Sequence, residues 1–396
     1  MVTRRVAAAL LVALVWPVPA TASAPLDAGM LQATLDATRM AGVPGLYSQV
    51  REGDATWSGA SGFADVRTRA HARPDMEHRV GAVTQTFVAT AVMRQVDRGR
   101  VDLDAPVDTY LPDEIPGQRG KSITVRMLLG HTSGIGDYLN SAFPSLADRS
   151  PRSLDEGRHR GLRPSQLIRW GADATSTGTP GERWSYSNTN YVLAGRVLEK
   201  VTGESVGAAL ARDVLRPAGL THTYFPSKPR LRGPHSRMYE SLFQGTGTPR
   251  DYSAYDMSWA GSAGALVSTM DDLNRFTRAL FTGRLVSRAA LVEMSRGLGL
   301  TTFSLPCGTF WGYDGDVFGA GTRVLSSPDG HRQLAVGVNL TRYQRLSGEG
   351  LPLPHPIDNA LRVHISQALC GGPAPAPASP LPIIPAHSPQ AHPSGS

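Results

Sequence analysis

His78-Arg79-Val80-Gly81-Ala82-Val83-Thr84-Gln85-Thr86-Phe87-Val88-Ala89-Thr90 leads into a segment that is apolar at Val83, Phe87, Val88, Ala91, Val92, Met93 and Val96 and stops at Gly99. Those positions leave no continuous polar stripe, and a helix without one is buried on all sides. The protein is expected to be assembled around this segment, with the other elements arranged to cover it.

Working outward, Leu26 to Met40 places Leu26, Met30, Leu31 and Leu35 on one side before Gly42 and Pro44 stop it, which predicts an amphipathic helix lying on a sheet. Leu46-Tyr47-Ser48-Gln49-Val50 and Ala55-Thr56-Trp57-Ser58, joined through Gly53-Asp54, predict an antiparallel hairpin. From about Leu103 to Leu300 helical pattern alternates with Pro- and Gly-containing loops, and Thr124 is placed to cap a short helix ending near Gly130-His131. Strand texture returns at Thr309 to Tyr313, at Thr322 to Ser326 and, after a Pro328-Asp329-Gly330 turn, at Gln333 to Val338. A last helix is expected from about His355 to Leu369. Strands at both ends with helices between predict an α/β (α+β) fold: an antiparallel sheet shared by the two termini, flanked by helices, with an all-helical lobe inserted.

At the N-terminus, Arg4 and Arg5 precede an apolar run from Val6 to Trp16 and small residues ending Ala20-Thr21-Ala22-Ser23-Ala24. This order predicts a signal peptide over residues 1–24, cut after Ala22 in preference to Ala24, where Pro25 would follow the cut. The run is too short to span a bilayer stably, so an exported, extracellular protein without a membrane span is expected. Thr3-Arg4-Arg5 leaves the general and twin-arginine export routes both open. Residues 25–370 then make the folded part, and from Gly371 to Ser396 the composition turns to Pro, Ala and Ser, which predicts a disordered tail. Cys307 and Cys370 are the two cysteines, and outside the cell they are expected to form one disulfide.

The formal charge of +7 falls to +5 without Arg4 and Arg5, and the remaining charges are interleaved. The most basic stretch, Lys228 to Arg237, is broken by Pro229 and Pro234 and reads as a solvated loop, so no nucleic-acid partner is expected. Attraction to anionic wall polymers would be weak and salt-sensitive.

Three further stretches carry a family resemblance: Gly99-Arg100-Val101-Asp102-Leu103-Asp104-Ala105-Pro106-Val107 with Tyr110-Leu111-Pro112; Ile123 to Gly134, which ends His131-Thr132-Ser133-Gly134; and Pro180-Gly181-Glu182 leading to Tyr186-Ser187-Asn188. With these the chain, over about residues 28 to 369, resembles the serine β-lactamase and D-alanyl-D-alanine carboxypeptidase superfamily in its class C branch. The resemblance implies a serine at the head of the buried helix that attacks a carbonyl, and a lysine one turn later that helps remove its proton. It further implies a tyrosine and an asparagine in a Tyr-x-Asn element, and a Lys-Thr-Gly or His-x-Gly element on an inner strand. Tyr186 and Asn188 match the Tyr-x-Asn element. Ala82 stands at the serine, Gln85 at the lysine and Tyr313, in Tyr313-Asp314-Gly315, at the strand cation.

Three of the five polar groups are thus replaced, at positions far apart in otherwise faithful surroundings. The three lysines, Lys121, Lys200 and Lys228, follow Gln118, Val197 and Phe225 at the required spacing, so no Ser-x-x-Lys pair exists elsewhere. A lipase-type nucleophile elbow and a His-Glu-x-x-His zincin helix are not expected either. Losing the nucleophile costs a serine hydrolase about 10⁶ in turnover, or roughly 8 kcal/mol of barrier. The backbone amides of Ala82 and Asp316, the oxyanion donors by family analogy, would survive, so Ala82, Asn188, Gly315 and Asp316 are expected to bind a carbonyl ligand.

The sequence therefore points to a secreted pseudoenzyme that holds a peptidoglycan-type peptide, a β-lactam or a protein partner. It is expected to be a monomer without cofactor or metal, with the cell wall as a place of association. The alternative is an active D-peptidase, esterase or β-lactamase-like hydrolase with an unrecognised nucleophile. Ser133 and Ser187 lie near the expected cleft without a matching base, and Thr84 points about 200° around the helix from Ala82. His131 is expected to hold a helix end, and Tyr186 and Asn188 have a structural reading beside the ligand-binding one.

Overall fold

A computed structural model describes residues 26–372; the expected signal peptide and all but the first two residues of the expected tail lie outside the described residues. Seven strands form one sheet in the order Ala70–His71, Ala55–Asp65, Gly45–Glu52, Arg332–Val338, Ala320–Ser326, Gly308–Val317 and Thr301–Leu305. Every neighbouring pair is antiparallel. The termini share the sheet as the sequence implies: Leu46 to Glu52 pairs with Val338 to Arg332 in one unbroken register.

The sheet is buried on both faces, which is why Ala320–Ser326 and Arg332–Val338 are buried at every residue instead of alternating. One face carries the helices Ala28–Met40 and Pro356–Cys370, which also pack on each other. The first is capped by the Asp27 carboxylate, which accepts from Met30 N, and buries Leu31, Thr34, Leu35 and Thr38 at helical spacing. The last starts with Pro356, uses His355 and Asp358 as a capping box and ends in a left-handed Gly371. The opposite face carries the helix Met270–Phe281, with the buried helix Val83–Asp97 behind it against the inner strands. Phe87 of that central helix stacks on Phe276. Twelve of its residues, Val83 to Met93 and Gln95, are buried.

Two features of the expected insertion need correction. Met270–Phe281 falls inside Leu103 to Leu300 yet lies on the sheet, because its buried Leu273, Phe276 and Leu280 form an apolar stripe, with Phe276 also stacked on Phe87 of the central helix. The lobe is also not wholly helical: Tyr239–Glu240, Arg250–Asp251 and Leu340–Thr341 make a small three-stranded sheet. The short helix expected after Thr124 is Val125–Leu129, with the Thr124 hydroxyl accepting from Met127 N.

Cys307 and Cys370 are joined, with their Cα atoms 5.5 Å apart. The bond ties the end of the last helix to the turn between Thr301–Leu305 and Gly308–Val317. A closed loop of 63 residues corresponds to about 4 kcal/mol in the chain-entropy model.

Candidate active site

The strand Gly308–Val317 runs beside the first turn of the central helix, and two glycines permit the approach. A Cβ on Gly315 would lie 2.2 Å from Val80 O and 2.7 Å from Ala82 N. Gly81, at φ +53°, would meet Asp316 N at 2.6 Å in the same way. The structure thereby brings Ala82, Gly315 and Asp316 together. The Ala82 N–H donates to no protein acceptor among the described residues, as an available oxyanion donor would.

One turn on, Gln85 is the hub of the site. Its Nε2 donates to Tyr186 Oη at 2.7 Å and to Ala263 O at 3.3 Å. Its Oε1 accepts from Tyr313 Oη at 3.0 Å and from His131 Nε2 at 3.1 Å. An amide has two donor hydrogens and two acceptor lone pairs, so the side chain is fully used. A lysine here could donate but could not accept from Tyr313. The two replacements therefore fit one another.

The surrounding protons are fixed by the same bookkeeping of donors and acceptors. His131 Nδ1 faces Ser187 N at 3.3 Å and Asn190 Nδ2 at 3.2 Å, both donors, so Nδ1 accepts and Nε2 carries the hydrogen given to Gln85. Tyr186 stacks on the His131 ring, accepts from Gln85 and gives its own proton to Asn188 Oδ1 at 3.1 Å. Asn188 Nδ2 in turn donates to Asp137 Oδ2 at 2.8 Å, and the same oxygen accepts the Asn188 N–H that opens the helix Asn188–Thr202. Burial, with Tyr313 and Asp137 beside it, pushes the Tyr186 hydroxyl well above its usual pKa, and the Gln85 hydrogen bond does not offset that. Burial, with Asp314 nearby, pushes Tyr313 upward too. Both phenols are neutral, and the groups bonded to Gln85 include no lysine or arginine.

Next to Ala82 lies a small cavity of about 20 Å³, bounded among others by Asn188, Trp259, Asp316, Phe318 and Arg342. That volume holds about one water. Arg342 closes one wall. It lies over the Phe318 ring, which stacks on Trp259, and donates to both carboxylate oxygens of Glu240 at 3.0 and 2.6 Å. Asp316 is 4.0 Å from the same guanidinium.

The expected residues Ala82, Gln85, Tyr186, Asn188, Tyr313, Gly315 and Asp316 are all gathered here. The substitute nucleophiles are committed elsewhere: Thr84 Oγ1 accepts from Leu266 N, Ser133 Oγ donates to Asn190 Oδ1 and Ser187 Oγ donates to Gly136 O. A Gly-x-Ser-x-Gly pattern does occur in the letters, at Gly203-Glu204-Ser205-Val206-Gly207. It joins two helices instead of a strand and a helix, and Ser205 caps Val206–Leu210 by accepting from Ala208 N. It is not a nucleophile elbow. The sequence reading missed His131 as a site residue, along with Asp137, Glu240 and Arg342. His131 sits in a left-handed conformation at φ 54°, and that turn, invisible in its neighbours' polarity, aims its ring at Gln85.

A family model described as Beta-lactamase matches residues 32–342. Esterase EstB of Burkholderia gladioli is 35% identical over 214 residues, which cover 51% of this chain and 53% of the esterase. A putative penicillin-binding protein, PbpX of Bacillus subtilis (strain 168), is 28% identical over 256 residues, covering 64% and 59%. The chain thus spans little more than half the length of these curated relatives. Among solved structures, a D-stereospecific amidohydrolase from Streptomyces sp. is 34% identical with a TM-score of 0.76, over 87% of this chain and 99% of that one. A D-amino acid amidase from Ochrobactrum anthropi SV3, 24% identical with a TM-score of 0.70, shares the fold. The antiparallel sheet, the central helix and these matches agree, and the chain belongs to the β-lactamase family of serine hydrolases.

Proposed function

We propose that this protein is a pseudoenzyme of its family: it keeps the carbonyl-binding corner of the site and has lost the acyl-enzyme chemistry. The observation that carries the reading is the Gln85 amide, which spends all four of its hydrogen-bonding positions on Tyr186, Ala263, Tyr313 and His131. A base must offer a lone pair to the proton it removes. Gln85 has none to spare, Tyr186 has its own proton directed at Asn188, and Ala82 has no oxygen to deprotonate.

The ligand class that this corner fits is an amide, peptide or lactam carbonyl, held by the Ala82 and Asp316 amides. The likeness to a D-stereospecific amidohydrolase favours a D-amino-acid derivative. Entry requires the wall of Trp259, Phe318 and Arg342 to move, since the present cavity takes about one water. Export to the cell exterior is part of the same reading, supported by the charged, apolar and small-residue order of positions 1–24 and by the disulfide.

D-amino-acid amides, p-nitrophenyl esters and nitrocefin form the test panel, run beside the Tyr186→Phe variant. Rates at background, equal in both proteins, are expected. A rate above background that disappears in Tyr186→Phe would establish the alternative, a working hydrolase with a nucleophile of another kind.

A further inference from the structure

Two buried histidines that take no part in the Gln85 hub grip one strand from opposite faces. Tyr47 and Ser48 are successive residues of Gly45–Glu52, so their side chains leave the sheet on opposite sides. Tyr47 meets His78, and Ser48 meets His364, at 2.9 Å from its Nε2. Both imidazoles are wholly buried.

Each ring is built into its place as a neutral group. His78 Nε2 lies 3.1 Å from Gly321 O, which can only accept, so that nitrogen carries the hydrogen and Nδ1 receives the Tyr47 hydroxyl proton. His364 Nδ1 is 2.9 Å from Thr34 Oγ1, whose own proton goes to the carbonyl of Met30 or Leu31. Around His78 the packed elements present Tyr47, the Gly321 carbonyl, Gly337 and Met270, with Arg79 as the neighbouring charge. Around His364 they present Thr34, Ser48 and Trp57. No carboxylate is among these groups, so a second proton on either ring would be an uncompensated buried charge. Desolvation accordingly lowers both pKa values to about 4, with Arg79 adding to the effect at His78 and the Gly321 carbonyl opposing it.

His78 also connects to the site. It pairs with Ser268, Arg79 pairs with Val267, and Val80 N donates to Leu266 O. The segment 78–81 delivers Ala82, and the segment it pairs with follows Ala263, whose carbonyl is one of the four partners of Gln85.

We infer that His78 and His364 form an acid-sensitive latch on the strand Gly45–Glu52, which holds that strand to the segment 78–81 and to the last helix near neutral pH and loosens it as the pH falls toward 5. The sign follows from the unfolded reference of 6.5: above it neither state binds the proton, and below it only the open or unfolded state does, until the folded value is reached. The latch does not depend on the pseudoenzyme reading, because its test uses no ligand.

Hydrogen exchange of the full chain, followed at pH 7.5, 6.0 and 5.0 and corrected for intrinsic rates, is the direct measurement. Residues 45–52 and 78–82 are expected to lose at least tenfold in protection between the first and last condition, while Asn188–Thr202 loses less. Thermal melts of His78→Gln and His364→Gln are the second readout, and each variant should show a shallower fall of Tm below pH 6.5 than the parent. Protection that stays constant to pH 5, or melts in both variants that fall as steeply as the parent's, would overturn the latch.

Discussion

Two polar clusters flank Ala82, and they are built by opposite rules. On one side the Gln85 hub is neutral and uses hydrogen bonds alone. On the other side Glu240 and Arg342 are ionised, buried and bidentate. Burial works against the Arg342 charge, but Glu240 outweighs it and raises the guanidinium pKa. The difference lies in what each charge holds. The Glu240 carboxylate also accepts from Leu242 N, Gly319 N and Thr341 Oγ1, so it organises three backbone segments as well as its ion pair. On the proposed pseudoenzyme reading, a lysine at position 85 would carry a buried charge with no hydroxyl at position 82 to act on. Charge stands where it organises the backbone, and position 85 carries a neutral amide.

Installing the family's serine, lysine and histidine breaks this contrast most strongly. Ala82→Ser alone is expected to acquire no penicillin adduct, because its hydroxyl would have no base. Ala82→Ser with Gln85→Lys and Tyr313→His should acquire one, with a gain of up to about 10⁶ in acylation rate, the scale set by losing a catalytic serine. Intact-mass time courses with penicillin compare the two, and a folded triple variant without adduct would show that the cleft has been remodelled beyond these positions.

The next effect is on stability. Glu240→Ala strands a buried guanidinium and should cost about 3 to 5 kcal/mol in urea unfolding. The matching change in the neutral cluster, Gln85→Leu, leaves only uncharged partners unsatisfied and should cost about 2 kcal/mol. Equal costs would mean that the two clusters do not differ in the way described. The smallest expected effect is on the titration of the hub: with Tyr186 and Tyr313 both pushed above their usual range, the near-ultraviolet absorbance should show no phenolate from these two residues up to pH 10, read as the difference from Tyr186→Phe and Tyr313→Phe.

Much of this was legible in the sequence, for identifiable reasons. The central helix, the terminal helices, the hairpin and the three inner strands announce themselves through continuous apolar runs and turn residues. Ala82, Gln85, Tyr186, Asn188 and Tyr313 were located because their neighbouring motifs fix the numbering. The edge strand Thr301–Leu305 was not seen, since its side chains are mostly exposed or half-exposed and it has no apolar run to mark it. The Glu240–Arg342 pair joins residues 102 apart, and His131 reaches Gln85 through a left-handed backbone turn. Neither leaves a local signature, because both depend on tertiary approach. Ser205 shows the converse: a pattern present in the letters, with the wrong elements around it.

Incubation of the purified protein with a fluorescent penicillin, followed by intact-mass measurement, tests the central claim most directly. The account predicts an unmodified mass and no fluorescence on the denatured chain. A stable penicilloyl ester on any side chain would contradict it.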